Sequence, residues 1–189
     1  MRIISISFVF CLWASLCQAQ GIQVYFSPNG GCERAVISEI KKATQTIDIA
    51  MYYLSSREIA RALVEAGENN VRVRIVLDQG QEIESASKSG YLIKHGFEVR
   101  YHLGFGLMHN KFAIFDGKSL ITGSFNWTLT AEERNEENLL IITDEETIEK
   151  YKERFDYLWN TSRPDSSNAR GLDALPSWSC ATFHLFCSN

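Results

Sequence analysis

The chain has 189 residues, 45% of them hydrophobic and 22% charged, enough for one domain with a sizeable core and too few to expect two. Its formal net charge is −4. That balance counts against a large non-specific nucleic-acid footprint, which draws on a basic surface, but it leaves room for a small basic cleft.

Met1-Arg2 precedes an apolar run from Ile3 to Cys17, closed by Cys17-Gln18-Ala19 with small residues where a signal peptidase inspects. This reads as a cleaved export signal over residues 1–19, with the mature chain periplasmic or secreted and not inserted in a membrane. The run is shorter than the ~20 residues a spanning helix needs, so an uncleaved anchor is the weaker reading. Cleavage removes one positive charge, Arg2, and takes the net charge from −4 to −5 (−4 − 1). Cys32, Cys180 and Cys187 remain. A Cys180–Cys187 disulfide, a bridge from Cys32 to either, and three free thiols all stay open. No Cys/His spacing resembles a zinc site, and neither metal nor cofactor is expected.

In chain order, Ile22 to Phe26 alternates as a strand, Ser27-Pro28-Asn29-Gly30-Gly31 breaks it, and Cys32 to Thr44 has helical periodicity. Thr46 to Leu54 reads as a buried strand, Ser56 to Gly67 as a helix capped by Ser55 or Ser56, and Val71 to Leu77 as another strand. Ile83 to His95 reads as a helix and Phe97 to Tyr101 as a strand. Lys111 to Asp116 and Ser119 to Thr122 form a hairpin across Asp116-Gly117, followed by a strand from Glu137 to Thr143 and an amphipathic helix from Glu145 to Asn160. The predicted class is α/β, a mixed sheet with helices on both faces, in a catalytic domain over residues 20–162. The Ser, Asn, Gly and Pro rich stretch 163–189 reads as a loose extension.

The chemistry concentrates in Met108-His109-Asn110-Lys111-Phe112-Ala113-Ile114-Phe115-Asp116, then Gly123-Ser124-Phe125-Asn126, then Glu137-Asn138. In extended backbone His109 and Lys111 share a face about 7 Å apart, with Phe112 and Ile114 turned to the layer behind. Ser124 and Asn126 repeat that spacing after the hairpin. Such groups suit a phosphate: Lys111 neutralises its oxygens, Ser124 and Asn126 donate hydrogen bonds as charge builds, and His109 attacks or moves protons. Glu137 is the candidate acceptor that orients the His109 ring. Asp116 has the opposite parity, so its part is a supporting ion pair or hydrogen bond.

His109, Lys111, Asp116, Gly123, Ser124 and Asn126 together follow the pattern His-x-Lys-x4-Asp-x6-Gly-Ser-x-Asn, which resembles the signature of the phospholipase D superfamily. The resemblance extends to Ile47-Asp48-Ile49-Ala50-Met51-Tyr52 and Val71-Arg72-Val73-Arg74-Ile75-Val76, and so covers about residues 22–160. It implies that one histidine forms a covalent phosphohistidine while a second protonates the leaving group. Most members carry two such motifs, whereas here His95, His102 and His184 lack the following Lys and Asp. The chain is thus similar to small single-motif members, a bacterial endonuclease and a mitochondrial phospholipase D, which set two motifs side by side by homodimerising. The mitochondrial kind carries a Cys/His zinc element near the N-terminus, where this chain offers only Cys32, a departure that favours the exported bacterial kind.

The leading expectation is a metal-independent nuclease on DNA, with RNA a further substrate. The alternative is a phospholipase D-type hydrolase of phosphatidyl lipids, for which the sequence shows no Lys-rich amphipathic segment. A non-catalytic nucleic-acid binder is the third reading. Arg72, Arg74, Lys94 and Arg100 read either as a basic approach or as a solvated sheet face. Trp127 reads as packing ahead of base stacking, Tyr52 and Tyr53 as part core and part cleft wall, and Glu132, Glu133 and Glu136 as a solvated face.

Overall fold

The computed structural model describes residues 21–166. The expected export signal, Cys180, Cys187 and nearly all of the C-terminal extension lie outside the described residues. Eight strands form one sheet: β1 (Ile22–Ser27), β2 (Thr46–Met51), β3 (Arg72–Asp78), β4 (Glu98–His102), β5 (Lys111–Phe115), β6 (Ser119–Gly123), β7 (Glu137–Ile142) and β8 (Arg163–Pro164). Their order is β1-β7-β6-β5-β2-β3-β4-β8. β2, β3 and β4 are parallel and the remaining pairings antiparallel.

The α/β class follows from strand alternation that sends successive apolar side chains to two different layers. Val36 and Ile40 of α1 (Cys32–Lys42) and Ile59 and Leu63 of α2 (Arg57–Glu68) pack on Ile49, Ile75, Ala113 and Phe115. On the other face α5 (Glu145–Thr161) lays Ile148, Phe155 and Leu158 on Ala50, Val76, Phe112 and Ile114. Two smaller helices, α3 (Ser89–Lys94) and α4 (Leu129–Glu133), complete the set. Each large side chain fully withdrawn from water contributes about 1.5–3 kcal/mol, so both layers are needed for stability.

Several expected elements are shorter than their sequence patterns. The helix expected over Ile83–His95 reduces to α3, because Ser87 Oγ accepts from Ser89 N and Lys88 N donates to Leu54 O at 2.9 Å, which fixes a turn where a helix would run. The strand expected through Leu54 stops at Met51, because Tyr52 N turns to Asn110 O and Leu54 bridges Trp127 instead. The extension expected from residue 163 begins with two residues held to the sheet: Arg163 pairs with Tyr101 and Asp165 N donates to Val99 O.

Antiparallel pairing of β5 with β2 brings the N-terminus of β5 to the same edge as the C-termini of β2, β3 and β4. The C-termini of β6 and β1 and the N-terminus of β7 lie there too. All the predicted site residues except Asp116 belong to this end.

Candidate active site

His109 is exposed and lies just before β5, with its ring centroid 4.4 Å from that of Tyr52. No hydrogen bond among the described residues holds its imidazole, so Tyr52 is what limits the ring's rotation. Lys111 is buried: its ammonium donates to the His109 carbonyl at 2.7 Å and sits 4.7 Å from the Tyr52 ring centroid. Desolvation lowers the Lys111 pKa to about 8, against an upward pull from Glu137. Tyr52 therefore joins nucleophile and cation into one unit, through ring contact on one side and cation–π attraction on the other.

Ser124 follows Gly123, whose φ is +147° and where a Cβ would fall 2.2 Å from Asn138 O. Only glycine fits that approach, which lets the chain leave β6 and put Ser124 against β7. The Ser124 hydroxyl donates to Glu137 Oε2 and accepts from Asn138 N at 3.0 Å. Asn135 Nδ2 occupies the other Glu137 oxygen at 3.0 Å. Glu137 thus has no hydrogen bond to His109 of its own chain. The orienting contact expected between them is not made within the protomer, because β7 lies two strand spacings from β5, about 10 Å.

Asn126 is fixed through its neighbour. Trp127 N donates to Tyr53 O, and Trp127 O accepts from Ser55 N and Ser56 N. Asn126 Oδ1 is buried without a partner, a state that normally marks a missing ligand or water. Trp127 itself is fully buried, so it packs the core and does not stack on a base.

Asp116 stands apart from the other predicted site residues. It stands seven residues beyond His109 along extended backbone, about 23 Å away. There its carboxylate accepts from Thr44 N, Thr44 Oγ1, Gln45 N and Thr46 N. Burial pushes its pKa up, but these bonds win and hold it below the ordinary aspartate value. Asp116 also takes the first positive φ of the hairpin turn, +53°, a conformation Asp tolerates better than most residues. Its role is to clamp the β5–β6 turn to the start of β2.

The proposed basic approach also dissolves. Arg74 pairs with Asp48 at 2.7 Å and reaches Asp156, while Arg100 donates to Trp159 O at 2.9 Å, so both are spent inside the fold. Glu132 is not solvated either: its two oxygens accept from Gly31 N and Glu33 N and cap α1, whose Gly31 N-cap has no side chain to do so.

Two residues that sequence reasoning left out of the chemistry help to build the site. Tyr52 is one. The other is buried Asp78 at the end of β3, which accepts from Gly80 N and Met108 N, both at 2.9 Å, and so anchors the backbone directly before His109. Its signal was available, a carboxylate closing the apolar run Ile75-Val76-Leu77 at a parallel strand's C-terminus, where open α/β sheets place their sites. Among the described residues no group of three or more His, Cys, Asp or Glu is placed to hold a metal ion. Cys32 is a buried free thiol whose pKa burial, followed by Glu132, raises to about 11.

A family model described as "Cardiolipin synthase, PLD-like domain" matches residues 36–159, well over half of the chain and all of the site. The chain belongs to the phospholipase D superfamily. It is 38% identical over 156 residues to the mitochondrial cardiolipin hydrolase of Canis lupus familiaris, covering 78% of this chain and 61% of that one. It is 35% identical over 148 residues to the phospholipase D of Rickettsia prowazekii, covering 78% and 70%. Among solved structures, Nuc from Salmonella typhimurium, a phospholipase D family member, superposes with a TM-score of 0.73 at 32% identity, covering 77% of this chain and 98% of that chain. NucT from Helicobacter pylori gives 0.74 at 28% identity, covering 77% and 99%. The match thus takes in less than two thirds of the canine protein's length but nearly all of both solved chains. The superfamily frame agrees with the mixed sheet and with the convergence of His109, Lys111, Ser124, Asn126 and Glu137 on one end of it.

Proposed function

We propose that the chain is a metal-independent phosphodiesterase that acts through a covalent phosphohistidine at His109, with nucleic acid as its first substrate class. The observation that carries this is the pairing of an exposed imidazole, in tilted contact with the Tyr52 ring, with the buried Lys111 ammonium on one strand end. A ring nitrogen of His109 attacks phosphorus, the bond to the leaving oxygen breaks, and that oxygen takes a proton from a second imidazolium. Water then attacks the phosphohistidine, the N–P bond breaks, and the water proton passes to the second imidazole. Lys111, Ser124 and Asn126 hold the phosphoryl oxygens throughout.

Among the described residues one protomer supplies a single imidazole here. His102 ends β4, three strand spacings from β5 or roughly 14 Å, too far to share a phosphate with His109. The second imidazole is accordingly His109 of a second copy in a homodimer, and Glu137, which does not reach its own His109, serves the partner's ring through a lone pair left beside its bonds from Ser124 and Asn135. Export to the periplasm or medium is part of the same proposal. Relatives named cardiolipin hydrolase and phospholipase D support a second reading, a phosphatidyl-lipid hydrolase, and a specific observation favours it: an apolar rim beside His109.

The test is plasmid nicking with EDTA present, which should persist in the wild type and disappear in His109→Ala. Enzyme quenched in alkaline denaturant, where an N–P bond survives, should carry labelled phosphate in the wild type only. Nicking by the His109→Ala protein, or turnover by a strictly monomeric wild type, would sink the mechanism. Isolated mixed dimers of wild type and His109→Asn should fall short of full activity per wild-type chain.

A further inference from the structure

The β4–β5 connection, Leu103-Gly104-Phe105-Gly106-Leu107, carries its apolar side chains outward at the same sheet end as His109. Leu103 is 52% exposed, Phe105 114% and Leu107 63%, and Ile83, at the neighbouring strand end, is 90% exposed. β3 and β4 leave the sheet side by side through the Asp78–His102 pair, so Ile83, just past the short 3-10 turn that follows β3, and the loop lie at the same end of the sheet. Gly106 takes a φ of +85°, which turns the chain back after Phe105 and leaves that ring at the tip of a convex projection. A value above the reference area means that nothing among the described residues covers it.

We propose that this loop, with Ile83, is a lip that inserts into a phospholipid bilayer and seats the His109 end of the molecule on the lipid surface. Two properties favour a lipid surface over a second protein chain. The first is area. The four side chains expose about 500 Å², against the ~800 Å² that each partner contributes to an ordinary stable interface, and on a convex tip, where close packing against a second surface is poor. The second is charge. Between Glu98 and Asp116 the chain has no acidic residue, in a protein of net charge −4. The loop therefore enters a lipid surface without bringing carboxylates into it, which the acidic remainder of the body could not do. The acidic residues nearest the lip by sequence are Glu82, paired to Arg163 at 2.6 Å, and Glu84.

The proposal deepens the lipid reading of the site and rests on the phosphodiesterase assignment only for what the docked enzyme would cleave. Docking and chemistry are therefore measured apart. The full-length mature chain is sedimented with phosphatidylcholine vesicles with and without phosphatidylglycerol, and turnover of the soluble diester bis-nitrophenyl phosphate is followed in parallel. Wild type should bind both kinds of vesicle, and Phe105→Ser with Leu107→Ser should weaken binding at least about tenfold. Turnover of the soluble diester should not change in that variant, since neither side chain is in the site. In Phe105→Trp the added emission should shift to the blue only when vesicles are present.

Vesicle binding that is absent in the wild type, or unchanged in the double serine variant, overturns the proposal. A blue shift of the added emission in Phe105→Trp without lipid shows the lip covered by the chain's own C-terminal segment or by a second copy, and also overturns it. So does a switch from dimer to monomer in the serine variant, which makes the loop a subunit contact. Loss of soluble-diester turnover in the wild type would instead sink the catalytic reading and leave the docking result standing.

Discussion

The two ends of the β5–β6 hairpin come from one sequence motif and differ in almost every physical respect. At the turn, the Asp116 carboxylate accepts four hydrogen bonds from residues 44–46 and is held ionised. At the open end, His109 has no hydrogen bond to its ring, Asn126 Oδ1 is buried without a partner, and Lys111 is desolvated until its charge is loosely held. One end is saturated and the other unsaturated. A motif that looks like a single catalytic signature is thus a structural clamp joined by five residues of strand to a reactive site whose partners are still to arrive.

The sharpest way to break this comparison is to remove one residue from each end. His109→Ala should lower phosphodiester turnover by about a thousandfold or more, equal to ~4 kcal/mol of transition-state stabilisation, with the melting temperature unchanged. Asp116→Ala should do the reverse, costing about 1–2 kcal/mol of stability as four donors of residues 44–46 lose a charged acceptor, while turnover per folded molecule is retained. Kinetics beside thermal unfolding decides the matter. A folded, inactive Asp116→Ala protein would show that the clamp reaches the chemistry.

The pH dependence follows the same division. Because the folded Asp116 pKa is depressed, its contribution is complete above the ordinary aspartate value and is lost as pH falls through the folded one. Unfolding free energies of the wild type and Asp116→Asn, measured by denaturant at a series of pH values, should therefore converge at low pH and separate as pH rises.

Gly123→Ala should rank next. Its Cβ meets backbone that cannot yield, Asn138 O at 2.2 Å, in a positive φ that L side chains rarely adopt. A loss of about 1–3 kcal/mol is expected. Ser124 would be displaced from Glu137 as well, so stability and turnover should fall together.

How much of this was legible in the sequence depends on the range of the forces involved. The strands, the two-sided core and the hairpin were readable because period-two alternation is local. Asp116's supporting part was readable from parity. What was not readable depends on contacts distant in sequence. Tyr52 reaches His109 only because β2 pairs with β5. Asp78 holds Met108 across thirty residues, and Arg74 and Arg100 looked like a basic surface until α5 covered them. The Ile83–His95 pattern misled because periodicity was present but the Ser89–Ser87 turn and the distant Lys88–Leu54 bond interrupted it. Leu103, Phe105 and Leu107 carry no periodic pattern, and only the fold shows that they stand uncovered at the sheet end that holds the nucleophile.

The subtlest expected difference lies in the alkaline limb of the reaction. Lys111 loses its proton as pH rises through about 8, far nearer neutrality than a solvated lysine, because burial penalises the ammonium more than Glu137 supports it. Below that pH the free enzyme presents a cation to the phosphate, and above it the cation fades. KM for a soluble diester should therefore rise as pH passes about 8. kcat should change less, because bound phosphate draws the proton back onto Lys111. Lys111→Arg, whose guanidinium stays charged throughout this range, should flatten the limb even if its different reach lowers the plateau. A limb that survives unchanged in the arginine variant would assign the titration to another group and leave Lys111 a permanent cation, as saturated in its way as Asp116 at the far end of the strand.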